Sequence, residues 1–578
     1  MSLGQHSFGG LPFSRWLWGL EHAFERARAS GKAEDDTRLR IFFVLAIFSA
    51  AFLALAVGAT RAAMFSGLRG HDGLAPIAGA SRADLVDRNG QMLAADLLHY
   101  GLYIDPREIW DTAETRAALT RILPEVEPHR LERALRGERR TFLMGGLTPE
   151  QRARVHSLGL PGVSFEPEER RVYPLGSTAA HLIGFADTGG EGLTGAEAAL
   201  NEDIRKAAAN KAAIPLSIDL RVQAALEDEL YKAAAEFRPR GAVGIVTNVH
   251  TGEILGMASY PTFDPNKPGQ ATDDAKLNRA AAAVFEMGST FKAFTVAVGL
   301  DAGVATPSST FDARFPYQLG YRTINDYHAA RKVLTLVEVF QHSSNIGTAK
   351  LAVSVGPQRL SQYFNKLGLT RTAPVELIES ARPLTPKKWD EDTVASTSFG
   401  HGMNVSPLTL VIAYNTLMNG GVRRPLTIRK VEDGKTIPGE RVMSERTSAQ
   451  MLQIMRANVT GGSGKSANVP GLSVGGKTGT GEKYDPAIRG YSRQKQVSSF
   501  AAAFPTDGAV EDDRYFVLIL MDEPHPSART YGYSTGGWVA APAAGRVIDR
   551  IAPFLGVRRK NDILTIAEGA AAPPPGVQ

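Results

Sequence analysis

Ile41 to Ala59 (IFFVLAIFSAAFLALAVGA) is a run of 19 residues without a charge, and it constrains the chain more than any other feature. A bilayer core is about 30 Å thick and takes roughly 20 apolar residues as helix, because every backbone polar group in lipid must bond internally. A buried soluble helix of this length would need no polar face anywhere. A cleaved signal peptide has an apolar region of about 7–15 residues behind a short basic start, whereas 40 residues precede this run. The sequence therefore predicts an uncleaved signal anchor over residues 41–60. Residues 21–40 carry Arg26, Arg28, Lys32, Arg38 and Arg40, while residues 60–79 carry only Arg61 and Arg69. Basic residues stay on the cytoplasmic side, so residues 1–40 are expected as a cytoplasmic tail and residues 60–578 beyond the membrane.

The rest of the chain reads as globular. Of 578 residues, 43% are hydrophobic and 22% charged, which allows two to four domains at about 100–200 residues each. The absence of Cys excludes a disulfide framework, a CxxC redox centre and a Cys nucleophile. The formal net charge is only +5 and the basic residues are spread out, which argues against a nucleic-acid binder. Residues 61–236 read as one unit or two small ones, with charged helical stretches such as Thr115 to Arg136. Ser217 or Asp219 is placed to cap a helix whose Val222, Leu226, Leu230 and Phe237 share one face. From Gly241 the texture changes. Gly241–Val249 and Ile254–Ser259 flank a turn at 250–253 and predict a hairpin. Helical stretches run to about Asn419, where Gly420-Gly421 stop them. Val497–Phe504 and Tyr515–Met521 read as strands, and Trp538–Phe554 as a helix. Strands, then helices, then strands predict an α+β domain over 237–558, its antiparallel sheet closed by both ends of the segment and flanked by helices. Residues 559–578, ending AAAPPPGVQ, are expected to be a disordered tail. There is no internal repeat, phosphate-binding glycine loop or metal-ligand spacing such as HExxH.

Three short motifs carry chemistry. In Ser289-Thr290-Phe291-Lys292, residues i and i+3 share a helix face. A serine hydroxyl needs an adjacent base to become a nucleophile, and a lysine whose pKa is lowered by burial or by a neighbouring cation can serve. Backbone N–H groups at a helix start can also hold an oxyanion. In Ser343-Ser344-Asn345, at a junction of two predicted helices, Ser343 is suited to relay a proton and Asn345 to hold a substrate amide. In Lys477-Thr478-Gly479-Thr480, after Val474-Gly475-Gly476, a lysine and two hydroxyls are suited to hold a carboxylate on a strand that a peptide backbone can approach. Each motif alone has a plain reading as a solvated helix start, a cap or a surface turn. Together and in this order they are a joint signature, S-x-x-K, S-x-N and K-T-G.

With these motifs the chain resembles the class B penicillin-binding proteins, the monofunctional peptidoglycan D,D-transpeptidases. The likeness covers nearly everything after the anchor. Residues 61–236 would be the pedestal, or dimerisation-like, domain. Arg82-Ala83-Asp84-Leu85-Val86-Asp87-Arg88-Asn89-Gly90, Arg171-Val172-Tyr173-Pro174 and Gly192 to Glu197 are similar to its motifs, and Arg82 or Arg88 is expected to pair with Glu197. Asn278-Arg279-Ala280, the stretch from Phe285 to Lys292, and Ser398-Phe399-Gly400-His401-Gly402 look most like the division-specific FtsI branch. Ala83, Met287 and Ala293 depart from the family pattern without touching a catalytic side chain.

The resemblance implies a substrate, the peptidoglycan stem peptide ending in D-Ala-D-Ala, and a role for each residue. Ser289 would be the nucleophile, Lys292 the base, and Ser343 the relay. Asn345 would orient the acyl-side amide. Lys477, Thr478 and Thr480 would hold the terminal carboxylate on the strand that includes Gly479. Backbone N–H groups of Ser289 and Thr480 would form the oxyanion hole. β-Lactams would acylate Ser289, and no metal or organic cofactor is expected. The resemblance further implies a single-pass inner-membrane protein with a periplasmic catalytic domain, partnered by an FtsW-type septal glycosyltransferase and other divisome membrane proteins. Alternatives are an elongation-specific class B transpeptidase, a membrane-anchored β-lactamase or D,D-carboxypeptidase on the same fold, and a non-catalytic division scaffold. Three further residues have both cleft-lining and plain readings: His401, between two glycines, and Asp326 and His328, ahead of the second motif. His342 is read as packing or a cap.

Overall fold

The computed structural model describes residues 82–560 except Pro486, together with scattered helical positions between 29 and 56. Among the described residues no helix is long and apolar enough to cross a membrane. Of the anchor expected over 41–60 only positions 44, 48–53, 55 and 56 are described, all helical, and the tails over 1–40 and 559–578 lie almost wholly outside the described residues. The chain divides into two compact units, 1–74 and 75–578, and the strands among the described residues belong to the second.

The first sheet is built around one long strand. Strand β1 (Leu85–Val86), β2 (Met92–Ile104), β3 (Thr141–Leu147), β4 (Val163–Val172) and β5 (Ile214–Pro215) form it, with β2 antiparallel to β1, β3 and β4 and β1 parallel to β5. The 13-residue β2 contains Leu102 and Ile104, which are buried with Leu119, Leu131, Leu143 and Leu147. The charged stretch from Thr115 to Arg136 is two helices rather than one, Thr112–Ile122 and Pro128–Leu135. Asp111 caps the first by accepting from Ala113 and Glu114 N–H groups. Pro128 opens the second at a position where no N–H is needed.

A buried ionic network ties the pedestal motifs together. Arg82 donates from Nε (2.9 Å) and Nη2 (2.5 Å) to Glu197 Oε2, and Arg171 donates from Nε to Glu197 Oε1 at 2.7 Å. Arg171 also meets Asp96 at 3.2 Å, and Asp96 accepts from the Arg82 backbone at 2.9 Å. Arg82 is thus the partner of Glu197, whereas Arg88 lies 3.5 Å from Glu253. The side chains of all four residues are buried, so removing one partner leaves an uncompensated buried charge.

The second sheet carries the chemistry. Helix α1 (Leu220–Phe237), capped by Asp219, leads into the hairpin β6 (Gly241–Asn248) and β7 (Ile254–Tyr260). Helices α2 (Lys292–Asp301), α3 (Leu336–Gln341), α4 (Asn345–Val355), α5 (Pro407–Met418) and α6 (Glu445–Gly461) follow. Three strands return to the sheet: β8 (Gly475–Asp485), β9 (Gly490–Phe504) and β10 (Tyr515–Asp522), before α7 (Ala540–Ile551). The order is β8-β9-β10-β6-β7, and every pairing is antiparallel. The period-2 alternation of β10 splits its side chains between two cores. Val517, Ile519 and Met521 pack with Leu226, Leu230, Val547 and Ile548 of α1 and α7. Phe516, Leu518 and Leu520 pack with Phe291, Phe294 and Tyr414 on the other side. Each such side chain contributes about 1.5–3 kcal/mol by burial. The same second core takes in Leu85, Leu93, Leu182 and Leu200, so the pedestal base and the sheet domain share one apolar interior.

Glu197→Ala leaves two buried guanidiniums without their common carboxylate. The full chain is expected to lose about 3–5 kcal/mol, measured as a lowered unfolding midpoint in denaturant; an unchanged midpoint would contradict the role of the network.

Candidate active site

Ser289 sits where a tight turn becomes a helix. Gly288–Phe291 form a single 3-10 turn, and α2 begins at Lys292. Gly288 has φ +55°, and a Cβ there would lie 2.4 Å from the Thr480 carbonyl oxygen. Only glycine lets the first motif approach the third this closely. The turn is fixed by Tyr414 Oη donating to Thr290 O at 2.7 Å and by Phe291 packing edge-to-face on Phe294 at 5.4 Å. The Ser289 side chain is half-buried on the cleft wall.

The second motif is a strained connection between α3 and α4. Thr335 and Glu338 form a capping box that starts α3. His342 is its C-cap and also lines the cleft. Ser343 then adopts φ +55°, a left-handed conformation costly for a residue with a Cβ and concentrated at functional sites. Ser344 caps α4, its Oγ accepting from Gly347 N at 3.0 Å.

The third motif lies on β8, at the edge of the sheet, so among the described residues its outer backbone edge has no neighbouring strand in that sheet. Lys477 faces Ala501 and Thr480 faces Ser498 across the ladder to β9. At Gly479 a Cβ would meet Ser499 Oγ at 2.3 Å and Met287 O at 2.7 Å. Glycine is required there by packing on both sides.

The three motifs meet at one oxygen. Lys292 Nζ donates to Ser343 Oγ at 3.1 Å and to the Ser343 carbonyl, and Lys477 Nζ donates to Ser343 Oγ at 2.9 Å. Both lysines are fully buried. Burial pushes the Lys292 amine down to about 7, opposed by the negative charge of Asp326. Burial, and then the neighbouring charge of Lys292, push Lys477 well below the ordinary lysine value. The arrangement therefore favours one neutral amine in the pair. The sequence reading placed Ser289 and Lys292 together through helical spacing. The Lys292 amine is instead held by Ser343, and the Ser289 hydroxyl makes no hydrogen bond to another described residue.

A cleft of about 770 Å³ opens over this centre, with Ser289, Ser343, Asn345, Thr478 and Thr480 in its walls. Thr478 Oγ1 is 2.9 Å from Ser463 Oγ and accepts from Lys477 Nζ at 3.3 Å. Thr480 Oγ1 accepts from Gly536 N at 3.2 Å, and Asn345 Nδ2 donates to Asn325 O at 3.0 Å. His401 and His328 line the cleft. His401 Nδ1 lies 3.3 Å from Glu286 Oε2, with its ring against Tyr491 at 4.3 Å. Asp326 is turned toward the second motif instead, accepting from Ser344 Oγ at 2.8 Å and from Ile346 N at 2.9 Å. Sequence reasoning missed Ser463 and Glu286; a serine in the Gly-Gly-Ser-Gly turn at 461–464 and a glutamate ahead of the first motif carry no signal of their own. Among the described residues no group of His, Asp or Glu side chains is arranged to hold a metal ion.

Two family descriptions match the chain: the penicillin binding protein transpeptidase domain over residues 242–549 and the penicillin-binding protein dimerisation domain over residues 77–206. The chain belongs to the class B penicillin-binding proteins, within their FtsI branch. It is 66% identical, over all of both chains, to the probable peptidoglycan D,D-transpeptidase FtsI of Caulobacter vibrioides. It is 30% identical to the peptidoglycan D,D-transpeptidase FtsI of Escherichia coli K12, over 84% of this chain and 86% of that one. A crystal structure of penicillin-binding protein 3 from Mycobacterium tuberculosis complexed with aztreonam has the same fold, with a TM-score of 0.63 over 83% of this chain and 97% of that one at 24% identity.

Gly479→Ala forces β8 away from the turn at Met287. Overpacking of this kind costs about 1–3 kcal/mol. The expected outcome is a folded chain that reacts with labelled penicillin at least about 10-fold more slowly, since small misplacements of reacting groups cost that much or more.

Proposed function

We propose that this chain is a serine D,D-transpeptidase that cross-links the stem peptides of septal peptidoglycan and is acylated by β-lactams. The observation that carries the reading is the convergence of Lys292 and Lys477 on Ser343 Oγ beside Ser289.

Ser289 Oγ attacks the carbonyl of the penultimate D-Ala, and its proton passes to the neutral Lys292 amine. Backbone N–H groups of Ser289 and Thr480 hold the oxyanion, each worth about 3–4 kcal/mol. A hydroxyl can accept two hydrogen bonds while donating one. Ser343 is therefore able to take a proton from Lys292 and pass its own to the departing D-Ala nitrogen. The C–N bond breaks, D-Ala leaves, and an ester on Ser289 remains. An amine of a second stem peptide then attacks that ester, forms the new amide and returns the proton to Ser289 through the same groups. Thr478 and Thr480, with the Lys477 amine behind them, hold the terminal carboxylate. Asn345 orients the acyl-side amide. The donor peptide lies along the free edge of β8, next to Gly479, as an added strand. No step calls for a metal or organic cofactor.

The domain assignment follows the same reading. Residues 1–40 form a cytoplasmic tail, 41–60 a single inner-membrane anchor, 61–236 a pedestal, 237–558 the periplasmic transpeptidase domain and 559–578 a tail. An FtsW-type septal glycosyltransferase and other divisome membrane proteins are the partners, met through the anchor and pedestal.

Two outcomes are expected of the full chain. Ser289→Ala abolishes covalent labelling by penicillin without lowering the unfolding midpoint; labelling that persists would remove Ser289 as nucleophile. The acylation rate rises with pH through an acid limb near the Lys292 value of about 7, because the depressed amine is neutral, and so a base, only above it. A rate flat across neutral pH would count against Lys292.

A further inference from the structure

The strained turn at Ser343 has to be held from outside, and its strap comes from the loop after Arg322–Ile324. We infer that Asp326, with the backbone of Asn325, is a positioning residue that holds the Ser343 hydroxyl between Lys292 and Lys477. The inference rests on the serine acyl-transfer reading and assigns a residue outside the three motifs.

The contacts lie on the three residues that follow Ser343. Asp326 Oδ2 accepts from Ser344 Oγ at 2.8 Å and Oδ1 accepts from Ile346 N at 2.9 Å. The Asn325 carbonyl accepts from Asn345 Nδ2 at 3.0 Å. Ser344, Asn345 and Ile346 are thus all bound by one dipeptide. A carboxylate meeting an N–H in the first turn of α4 also complements the helix dipole. The loop itself is anchored by Arg322, whose Nη1 donates to Ser396 Oγ at 2.9 Å. A left-handed residue with a side chain persists only where its surroundings over-determine it. Here they do so on the inner side through Lys292 and Lys477, and on the outer side through Asp326. Asp326 also carries charge. Two fully buried amines share Ser343; the charge of Asp326 from this loop acts on Lys292, and the charge of Lys292 acts in turn on Lys477 of β8. The carboxylate raises the Lys292 amine against the larger effect of burial, which keeps it a stronger base.

The test compares Asp326→Asn, Asp326→Ala and Asp326→Glu in the full chain, using the rate of covalent labelling by penicillin across the pH range that titrates Lys292. Asp326→Asn keeps the shape and removes the charge. Its labelling is expected to slow about 10- to 100-fold, and its acid limb to move to lower pH, since loss of a nearby negative charge favours the neutral amine. Asp326→Glu keeps the charge with a longer reach, so its limb stays at the wild-type pH while the rate falls. Asp326→Ala is expected to show both losses. All rates are read below the unfolding midpoint of the weakest variant. A limb that does not move in Asp326→Asn, or a wild-type rate in Asp326→Ala, overturns the inference whatever the stability of the variants. Either result leaves wild-type labelling of Ser289 intact. Failure of the acyl-transfer reading appears separately, as labelling that survives Ser289→Ala.

Discussion

Two buried amines sharing one hydroxyl set the terms for the rest of the molecule. Lys292 and Lys477 come from different elements, and both end on Ser343 Oγ, at 3.1 Å and 2.9 Å. Neither would keep a lowered pKa at the surface, where water stabilises an ammonium. The two amines therefore need a dry interior beneath the cleft. The sheet supplies it on one side, through β8 and the apolar face shared by Phe516, Leu518 and Leu520. The turn at 288–291 and helix α2 supply it on another, with Phe291 and Phe294 fully buried beneath the nucleophile. Lys477 also has the ring of Phe340 at 5.7 Å, a contact that favours whatever positive charge remains.

Glycine makes that interior compact enough to work. The turn at Gly288 and the strand at Gly479 meet with no room for a Cβ, so Ser289 and Thr480 are held together by backbone packing rather than by side chains that can drift. Ser343 lacks that freedom and is held instead by bonds from outside the motif. The site thus joins parts fixed by close approach to one part fixed by strapping.

Much of this was legible in the sequence, and the reasons differ by element. The hairpin at 241–260 and the strands near 497 and 515 were readable because β-rich runs bounded by turn residues have few other uses. The cap at Asp219 and the buried face of α1 followed from 3.6-residue spacing. The three motifs carry chemistry at fixed spacing and stood out jointly. The pedestal sheet was not legible. Its long strand β2 mixes Asp96, His99 and Tyr100 with apolar residues, and its partners lie far along the chain. Ser463 and Glu286 were invisible because their roles come only from tertiary placement. Asp326 was noticed for its position, yet its direction was not foreseen: no pattern along the chain says whether a loop carboxylate faces a cleft or braces a turn.

The three motifs lie far apart along the chain, and that separation has a chemical consequence. A lysine in an extended chain is solvated and titrates near its ordinary value, and a serine three residues away has no base. The unfolded polypeptide is thus inert toward acyl donors, and becomes reactive only when β8 brings Lys477 beside Lys292 and Ser343. Folding here serves as the activation step.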